Sequence, residues 1–377
     1  MSNQGTTTAV SEVATQDSWW WSWFSWRPTS FQLLEVAEKK MLEGVRRSFK
    51  SYFVPISDDN KIQTIETESE EDRLPVLLLH GFAAGVGFWT LNLDEISQKQ
   101  KVYAIDLLGF GRSSRPNFPS DSADAEKFYV QSIEEWRQKA GLEQFVLLGH
   151  SFGGYLACSY TLEHPERVRH LILADPWGIP EKPPPGEEES FKLPRWAKAA
   201  AAVLSLFNPL AALRVAGPWG PTLISKFRPD LRKKYEGIFG EDDTRVMEYI
   251  YHCNAQSPSG ETAFRSLSIP YGWAKYPMIH RVKEIDSKIP MTVLYGSRSW
   301  MDSSSGYNIK YLRDKSYVDV QIIKGAGHHI YADRPDEFNM CVNNICDKVT
   351  EQSDLSNIAQ HFMADDIEAP SSQSGES

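Results

Sequence analysis

The sequence predicts an α/β fold: a mostly parallel sheet covered by helices on both faces and interrupted by an inserted helical cap. Three observations carry this expectation. Short apolar runs at Val76–Leu79, Val102–Asp106, Phe145–Leu148 and Val168–Ala174 alternate with helical patterns near 91–99 and 123–140, the order that buries parallel strands between helices. The alternation stops at Pro176, gives way to helical patterns over about 190–285, and resumes at Met291–Tyr295 and Val318–Ile323. After the third run stands Gly149-His150-Ser151-Phe152-Gly153, followed directly by the helical stretch Tyr155-Leu156-Ala157-Cys158. So sharp a strand-to-helix turn needs small residues two positions either side of the serine.

From the N-terminus, residues 1–18 are polar and expected to be disordered. Trp19, Trp20, Trp21, Trp23 and Trp26 then place five of the twelve tryptophans within eight positions. Ser30 can cap a helix predicted over Phe31–Tyr52, with Leu34, Met41, Val45 and Phe49 near one face. Residues 19–50 thus read as a Trp-rich arm and helix, 51–67 as an opening hairpin, and 66–73 as an acidic loop. The first part of the core spans 51–175 and the cap 176–285, with Pro183-Pro184-Pro185 and Glu187-Glu188-Glu189 marking a linker. The second part of the core spans 286–350 and ends in a helix from about Pro335 to Val349; the acidic, Ser-rich 351–377 are expected to be a disordered tail.

With 377 residues and 41% hydrophobic content, the chain suits one large domain with an insertion. A net charge of -10 offers no basic excess to neutralise phosphates, so nucleic acid is not an expected partner. Cys158, Cys253, Cys341 and Cys346 follow no zinc or redox spacing and read as reduced packing residues of an intracellular protein; no metal is expected. Residues 1–17 lack the apolar stretch of a secretory signal. No run of eighteen uncharged apolar residues occurs, because Trp196–Val215 is broken by Lys198, Asn208, Pro209 and Arg214.

Strand, Gly-x-Ser-x-Gly and helix in that order are the nucleophile elbow of an α/β-hydrolase fold, which makes Ser151 the candidate nucleophile. A serine hydroxyl needs a positioned base and an oriented acid. In this fold the base follows the last strand, where Gly327-His328-His329 stands, and His328 is the expected base. His329 reads as a packed or solvent-facing neighbour, and His150 as support for the turn. The acid is often three residues after the glycine ending the preceding strand, Gly296, but that position is Ser299. Asp302, on the same loop, is preferred on loop position; Asp175, at the end of Val168–Ala174, is the alternative. The oxyanion hole needs backbone N–H groups, assigned to Phe82 in Leu79-His80-Gly81-Phe82 and to Phe152. Their side chains are therefore expected to be replaceable, and Gly85 and Gly87 to let the loop approach substrate.

Longer runs add a resemblance. Asp106-Leu107-Leu108-Gly109-Phe110-Gly111-Arg112-Ser113-Ser114-Arg115-Pro116, His328-His329-Ile330-Tyr331-Ala332-Asp333, Trp26-Arg27-Pro28-Thr29-Ser30, Tyr249-Ile250-Tyr251-His252-Cys253-Asn254 and Pro258-Ser259-Gly260-Glu261-Thr262-Ala263-Phe264 are its carriers. Over about 18–350 the chain resembles the α/β-hydrolase domain-containing proteins four and five, a lipid-metabolism branch of the fold. For member four the resemblance implies a lipase acting on N-acyl phosphatidylethanolamines and their lyso forms. For member five it implies a lipid-droplet protein that co-activates a triacylglycerol lipase and acylates lysophosphatidic acid from acyl-CoA. Vertebrate member five carries asparagine at the elbow, whereas Ser151 here retains the nucleophile. Ile269-Pro270-Tyr271-Gly272-Trp273-Ala274-Lys275 and Glu38-Lys39-Lys40-Met41-Leu42 look like member five's versions, and Arg298 and Gly327 match residues associated there with lipase co-activation.

The resemblance thus implies a lipid acyl hydrolase, with triacylglycerol-lipase co-activation and lysophosphatidic acid acylation as alternatives. It implies no organic cofactor, acyl-CoA being a substrate. Its implied partners are lipid, a triacylglycerol lipase and droplet coat proteins, and its implied location is cytoplasmic, peripheral on lipid droplets or intracellular membranes. His328-x4-Asp333 also fits an acyltransferase pattern, but Asp333 precedes Arg334-Pro335-Asp336-Glu337 and is expected to cap the last helix. Clustered tryptophans favour a bilayer interface, since each apolar ring keeps one N–H hydrated, so Trp19–Trp26 read as a lipid-surface anchor. Arg46, Arg47 and Lys50, and in the cap Lys226, Arg228, Arg232, Lys233 and Lys234, form local basic patches.

Overall fold

The computed structural model describes residues 29–71, 73–184, 209–270 and 272–351. The tryptophans of 19–26, the linker residues 185–189 and the tail beyond 351 lie outside the described residues. The strands are β1 (Phe49–Pro55), β2 (Lys61–Thr67), β3 (Val76–Leu79), β4 (Val102–Ile105), β5 (Phe145–His150), β6 (Val168–Ala174), the two-residue β7 (Ser268–Ile269) and β8 (Trp273–Ala274), β9 (Met291–Gly296) and β10 (Val318–Ile323). Eight of them form one sheet in the order β1-β2-β4-β3-β5-β6-β9-β10, and β7 pairs with β8. The β1–β2 and β2–β4 pairs are antiparallel; every other neighbour in the large sheet is parallel.

Period-two alternation sorts each strand between two cores. Val76, Leu78, Val146, Leu148 and Ile172 belong to one cluster with Met41, Leu93 and Phe338. Leu77, Leu79, Leu147 and Leu171 belong to the other with Tyr129, Trp136, Leu156 and Ile309. The first face is covered by α1 (Phe31–Leu42) and α2 (Thr90–Ile96), the second by α3 (Ser122–Ala140) and α4 (Phe152–Glu163). Between β6 and β9 come the cap helices α5 (Pro209–Ala216), α6 (Gly220–Phe227), α7 (Pro229–Phe239), α8 (Arg245–Asn254) and α9 (Gly260–Leu267). Then α10 (Ser304–Leu312), α11 (Ile330–Asp333) and α12 (Pro335–Thr350) close the chain, with α12 on the first face. Among the described residues no helix is long and apolar enough to cross a membrane.

The first helix is shorter than its periodicity suggests. Ser30 caps it as expected, accepting from the Leu33 amide at 3.1 Å, but it ends at Leu42 and Phe49 begins a strand. The Asp94 carboxylate draws the chain out of the helix by accepting the Arg46 amide at 3.0 Å and the Arg47 amide at 2.9 Å. From Phe49 onward, pairing with Lys61–Thr67 satisfies the backbone instead. Val45 and Phe49 still pack on the core, so their burial was legible while their conformation was not.

A buried carboxylate and a half-buried guanidinium tie the loops at the strand ends. Asp106, fully buried, accepts the Val86 amide through Oδ1 and the Arg112 amide through Oδ2, each at 2.7 Å. Arg115 donates to four carbonyls, those of Gly109 (2.8 Å) and Gly111 (3.1 Å) in its own loop and Cys253 (3.0 Å) and Ser257 (2.9 Å) in the cap. Beside them Glu38, 1% exposed, accepts from Arg112 Nη1 at 2.8 Å and Gln63 Nε2 at 3.0 Å. Burial, with the charge of Asp106, pushes its carboxyl from 4.5 up to about 8 against the pull of Arg112.

A raised folded pKa means that folding takes up a proton between these values, so stability falls as pH rises through that window. Urea unfolding at about pH 5 and about pH 8.5 should show Glu38→Gln gaining on wild type at the higher pH. An equal difference at both pH values would mean that Glu38 is ionised throughout.

Candidate active site

The elbow forms because strand and helix backbones approach too closely for side chains. A Cβ on Gly149 would lie 2.3 Å from the Gly153 carbonyl oxygen, and one on Gly153 would lie 2.4 Å from that of Leu79. The turn forces Ser151 to φ 53°, ψ -116°, a region that non-glycine residues occupy only under strain. Backbone bonds hold it there: the Ser151 amide donates to Ala174 O at 3.0 Å, and its carbonyl accepts the Trp177 amide at 3.1 Å. The side chain stands at the C-terminal end of β5, 7% exposed.

His328 reaches it from the loop after β10, with Nε2 3.1 Å from Ser151 Oγ. Its Nδ1–H donates to Asp175 Oδ2 at 2.6 Å. Asp175, fully buried at φ 48°, directly follows β6. It also accepts the Gly296 amide at 3.2 Å through Oδ1 and the Ser299 hydroxyl through Oδ2. The preference for Asp302 is therefore corrected. Asp302 points into the start of α10, accepting the Ser304 amide at 2.9 Å and the Ser304 hydroxyl. The physical reason is strand adjacency. β6 and β9 are neighbours, so a carboxylate at the end of β6 fills the place that the β9 loop reaches with Ser299, which now orients Asp175. The serine at the usual acid position was the available signal.

Three further histidines pack around the site in neutral form. His150 Nε2–H donates to the His328 carbonyl at 2.9 Å, bracing the base's backbone. Burial and the neighbouring His328 hold its pKa well below the usual imidazole range. Burial does the same to His329. His80 is lowered to about 4 by burial; it donates Nδ1–H to Gly81 O at 2.7 Å and accepts the Leu107 amide at 3.0 Å.

Those bonds shape the turn that carries Phe82. Gly81 lies directly on the elbow, where an added Cβ would sit 3.1 Å from Ser151 Cβ. Phe152 opens α4, so its N–H has no acceptor within the helix and stands at the helix's positive end. Its side chain has a packing role besides the backbone one. Fully buried, it meets Phe264 at 5.1 Å, Tyr129 at 5.5 Å and Trp177 at 6.0 Å between ring centroids. Phe82 stacks on Phe264 of α9 at 4.4 Å. Aromatic rings thus pack about the Phe82 and Phe152 turns next to the serine, and Trp300, 61% exposed, stands 5.0 Å from the His328 ring.

Other expectations change as well. A Cβ on Gly85 would strike Tyr249 Oη at 2.4 Å, and one on Gly87 would strike the Tyr249 ring at 2.9 Å. These glycines admit a cap tyrosine, not substrate. Asp333 does not cap α12. It accepts the Gly327 amide at 2.8 Å and the Lys234 ammonium, while His328 Nδ1 is already held by Asp175. Arg298 is exposed: its amide donates to Ala326 O at 2.8 Å and its guanidinium to Gly325 O, beside Gly327. Arg228 pairs with Asp230 at 2.9 Å and Arg46 with Asp94 at 3.3 Å, so part of each basic patch is locally neutralised. Among the described residues no group of three or more His, Cys, Asp or Glu is placed to hold a metal ion.

Comparison with known proteins gives the same frame. Residues 75–335 match the family described as alpha/beta hydrolase fold. The chain is 51% identical over 322 residues to the Homo sapiens 1-acylglycerol-3-phosphate O-acyltransferase ABHD5, covering 85% of this chain and 91% of that one. It is 50% identical over 322 residues to the Homo sapiens (Lyso)-N-acylphosphatidylethanolamine lipase, covering 85% and 93%. Among solved structures, a bacterial membrane phospholipase A superposes with a TM-score of 0.60 at 21% identity, over 85% of this chain and 91% of that one. The carboxylesterase CesB of Bacillus subtilis superposes with a TM-score of 0.58 at 18% identity, over 83% and 97%. The chain belongs to the α/β-hydrolase fold family, in the branch of these lipid-metabolising relatives.

Proposed function

We propose that this protein is a serine acyl hydrolase of glycerophospholipids or lysophospholipids, in the manner of N-acyl phosphatidylethanolamine deacylation. The observation that carries the reading is the continuous relay Ser151 Oγ–His328 Nε2 at 3.1 Å and His328 Nδ1–Asp175 Oδ2 at 2.6 Å. Ser151 attacks the ester carbonyl as His328 takes its proton; Asp175 holds the Nδ1–H tautomer and stabilises the imidazolium. The amides of Phe82 and Phe152 receive the developing oxyanion. His328 returns the proton to the leaving lysolipid oxygen, leaving an acyl group on Ser151, which water then releases. When Ser151 instead attacks an acyl-CoA thioester, CoA leaves as the thiol with the proton from His328. A lysophosphatidic acid hydroxyl in place of that water then takes the acyl group from Ser151 without a second site. The relatives' names and the aromatic cluster about Phe82 and Phe152 support a lipid acyl substrate.

The exposed Arg298 beside Gly327 supports a second role, co-activation of a triacylglycerol lipase on a lipid droplet among its coat proteins. Residues Trp19, Trp20, Trp21, Trp23 and Trp26 supply the anchor to that surface or to an intracellular membrane.

Fluorophosphonate labelling and hydrolysis of a lysophospholipid should both vanish in Ser151→Ala. Asp175→Asn should lower kcat by about a thousandfold or more, while Asp302→Asn stays within about threefold of wild type. Equal losses in the two Asp variants would reject Asp175 as the acid. Deleting residues 19–26 should abolish flotation with liposomes and leave hydrolysis of a soluble short-chain ester intact; undiminished flotation rejects the anchor.

A further inference from the structure

Two consecutive residues of one cap helix each hold a different catalytic loop. Lys234 Nζ donates to Asp333, whose other carboxylate oxygen accepts the Gly327 amide at 2.8 Å, and Gly327 directly precedes His328. Its neighbour Tyr235 donates its hydroxyl to the Phe88 carbonyl at 2.7 Å. Phe88 lies in the short turn Val86–Trp89, which continues the oxyanion loop. Successive residues of an α-helix point about 100° apart, which is how α7 reaches both loops at once. The side chains of Lys234 and Asp333 are 10% and 15% exposed, so water screens the pair poorly. The neighbouring cap helix adds to the oxyanion side: Tyr249 Oη accepts the Gly87 amide at 3.0 Å, and Asn254 Nδ2 donates to Ala83 O at 2.8 Å.

We propose that Lys234 is a positioning residue for His328, acting through Asp333 and the Gly327 amide, and that seating the cap assembles base and oxyanion loop together. This rests on the reading of Ser151, His328 and Asp175 as the catalytic group. It also gives the aspartate of His328-x4-Asp333 a different task from acyl transfer. Both of its oxygens are engaged, one by the His328 loop and one by the cap. Without Lys234 a nearly buried carboxylate keeps only the amide, and the loop gains freedom to leave Ser151. A misplacement of about 1 Å at such a site costs on the order of a hundredfold in rate.

The test compares Lys234→Met, Lys234→Gln, Lys234→Arg, Asp333→Asn and the Lys234→Met/Asp333→Asn double variant of the full chain. Readouts are kcat and KM on a soluble short-chain ester, fluorophosphonate labelling rate, acyl transfer to lysophosphatidic acid, and amide hydrogen exchange of the peptide covering 324–333. Lys234→Met should lower kcat and labelling by about tenfold to a hundredfold with KM nearly unchanged, and speed exchange in that peptide. Asp333→Asn should match it, the double variant should be no worse than either, and Lys234→Arg should restore activity and slow exchange.

Should Lys234→Met fail to fold, Lys234→Gln carries the same expectation. Unchanged kcat and exchange in the neutral Lys234 variants overturn the proposal. So does a loss of acyl transfer in Asp333→Asn that neutral Lys234 variants do not share. If Ser151→Ala proves as active as wild type, the catalytic reading fails by itself, while exchange at 324–333 still decides whether Lys234 holds the loop.

Discussion

The site depends on one steric constraint: the backbones of β3, β5 and α4 meet at the elbow with no room for a Cβ. Gly149 and Gly153 make the approach possible, and together they press Ser151 into a conformation at φ 53° that costs about 1–3 kcal/mol. The surrounding bonds hold that strain. The same compression points the hydroxyl away from the sheet and places the Phe152 amide at the start of a helix. It also brings Gly81, and with it the Phe82 turn, against the elbow. The positions of the Ser151 hydroxyl and of the Phe82 and Phe152 turns therefore follow from a single packing event.

Around this point the polar interior is organised as ties between separate segments. Asp106 joins the 83–88 loop to the 106–115 loop, Arg115 joins the latter to the cap, and Asp333 joins the base's loop to α7. An ion pair such as Lys234–Asp333 adds little net stability once desolvation is counted, so such ties are better at defining geometry than at holding the fold. Here they define where the cap sits relative to the catalytic loops. Aromatic residues cross the same boundary: Phe264 of the cap meets Phe82 at 4.4 Å and Trp177 at 4.7 Å between ring centroids, so this cluster is shared between core and cap.

The parts of the fold that could be read in advance are those written in local pattern. The strand alternation, the elbow, the cap's position between β6 and β9, and the placement of His328 after β10 all appear in the chain where they were expected. The departures share a cause. The helix starting at Phe31 overran because Val45 and Phe49 kept its period, while the carboxylate that diverts the chain is Asp94, far along the sequence. Gly85 and Gly87 read as room for substrate because the tyrosine that needs them is in the cap. Asp302 was favoured by proximity in sequence, whereas Asp175 is brought to His328 by the adjacency of β6 and β9.

The fold class, the sharp Gly149–Gly153 turn and the place of His328 after the last strand were legible in the chain, because each depends on residues close together or on strand order. Which carboxylate meets His328, what Asp333 holds, and how α7 reaches both the 86–89 turn and the 324–333 loop emerge only from the folded contacts. Apart from the Gly327–Asp333 bond, those are contacts between residues separated by about a hundred positions or more, and side-chain type alone says that a carboxylate needs a donor without saying which one. The choice is made when the sheet brings strand ends together and the cap closes over them.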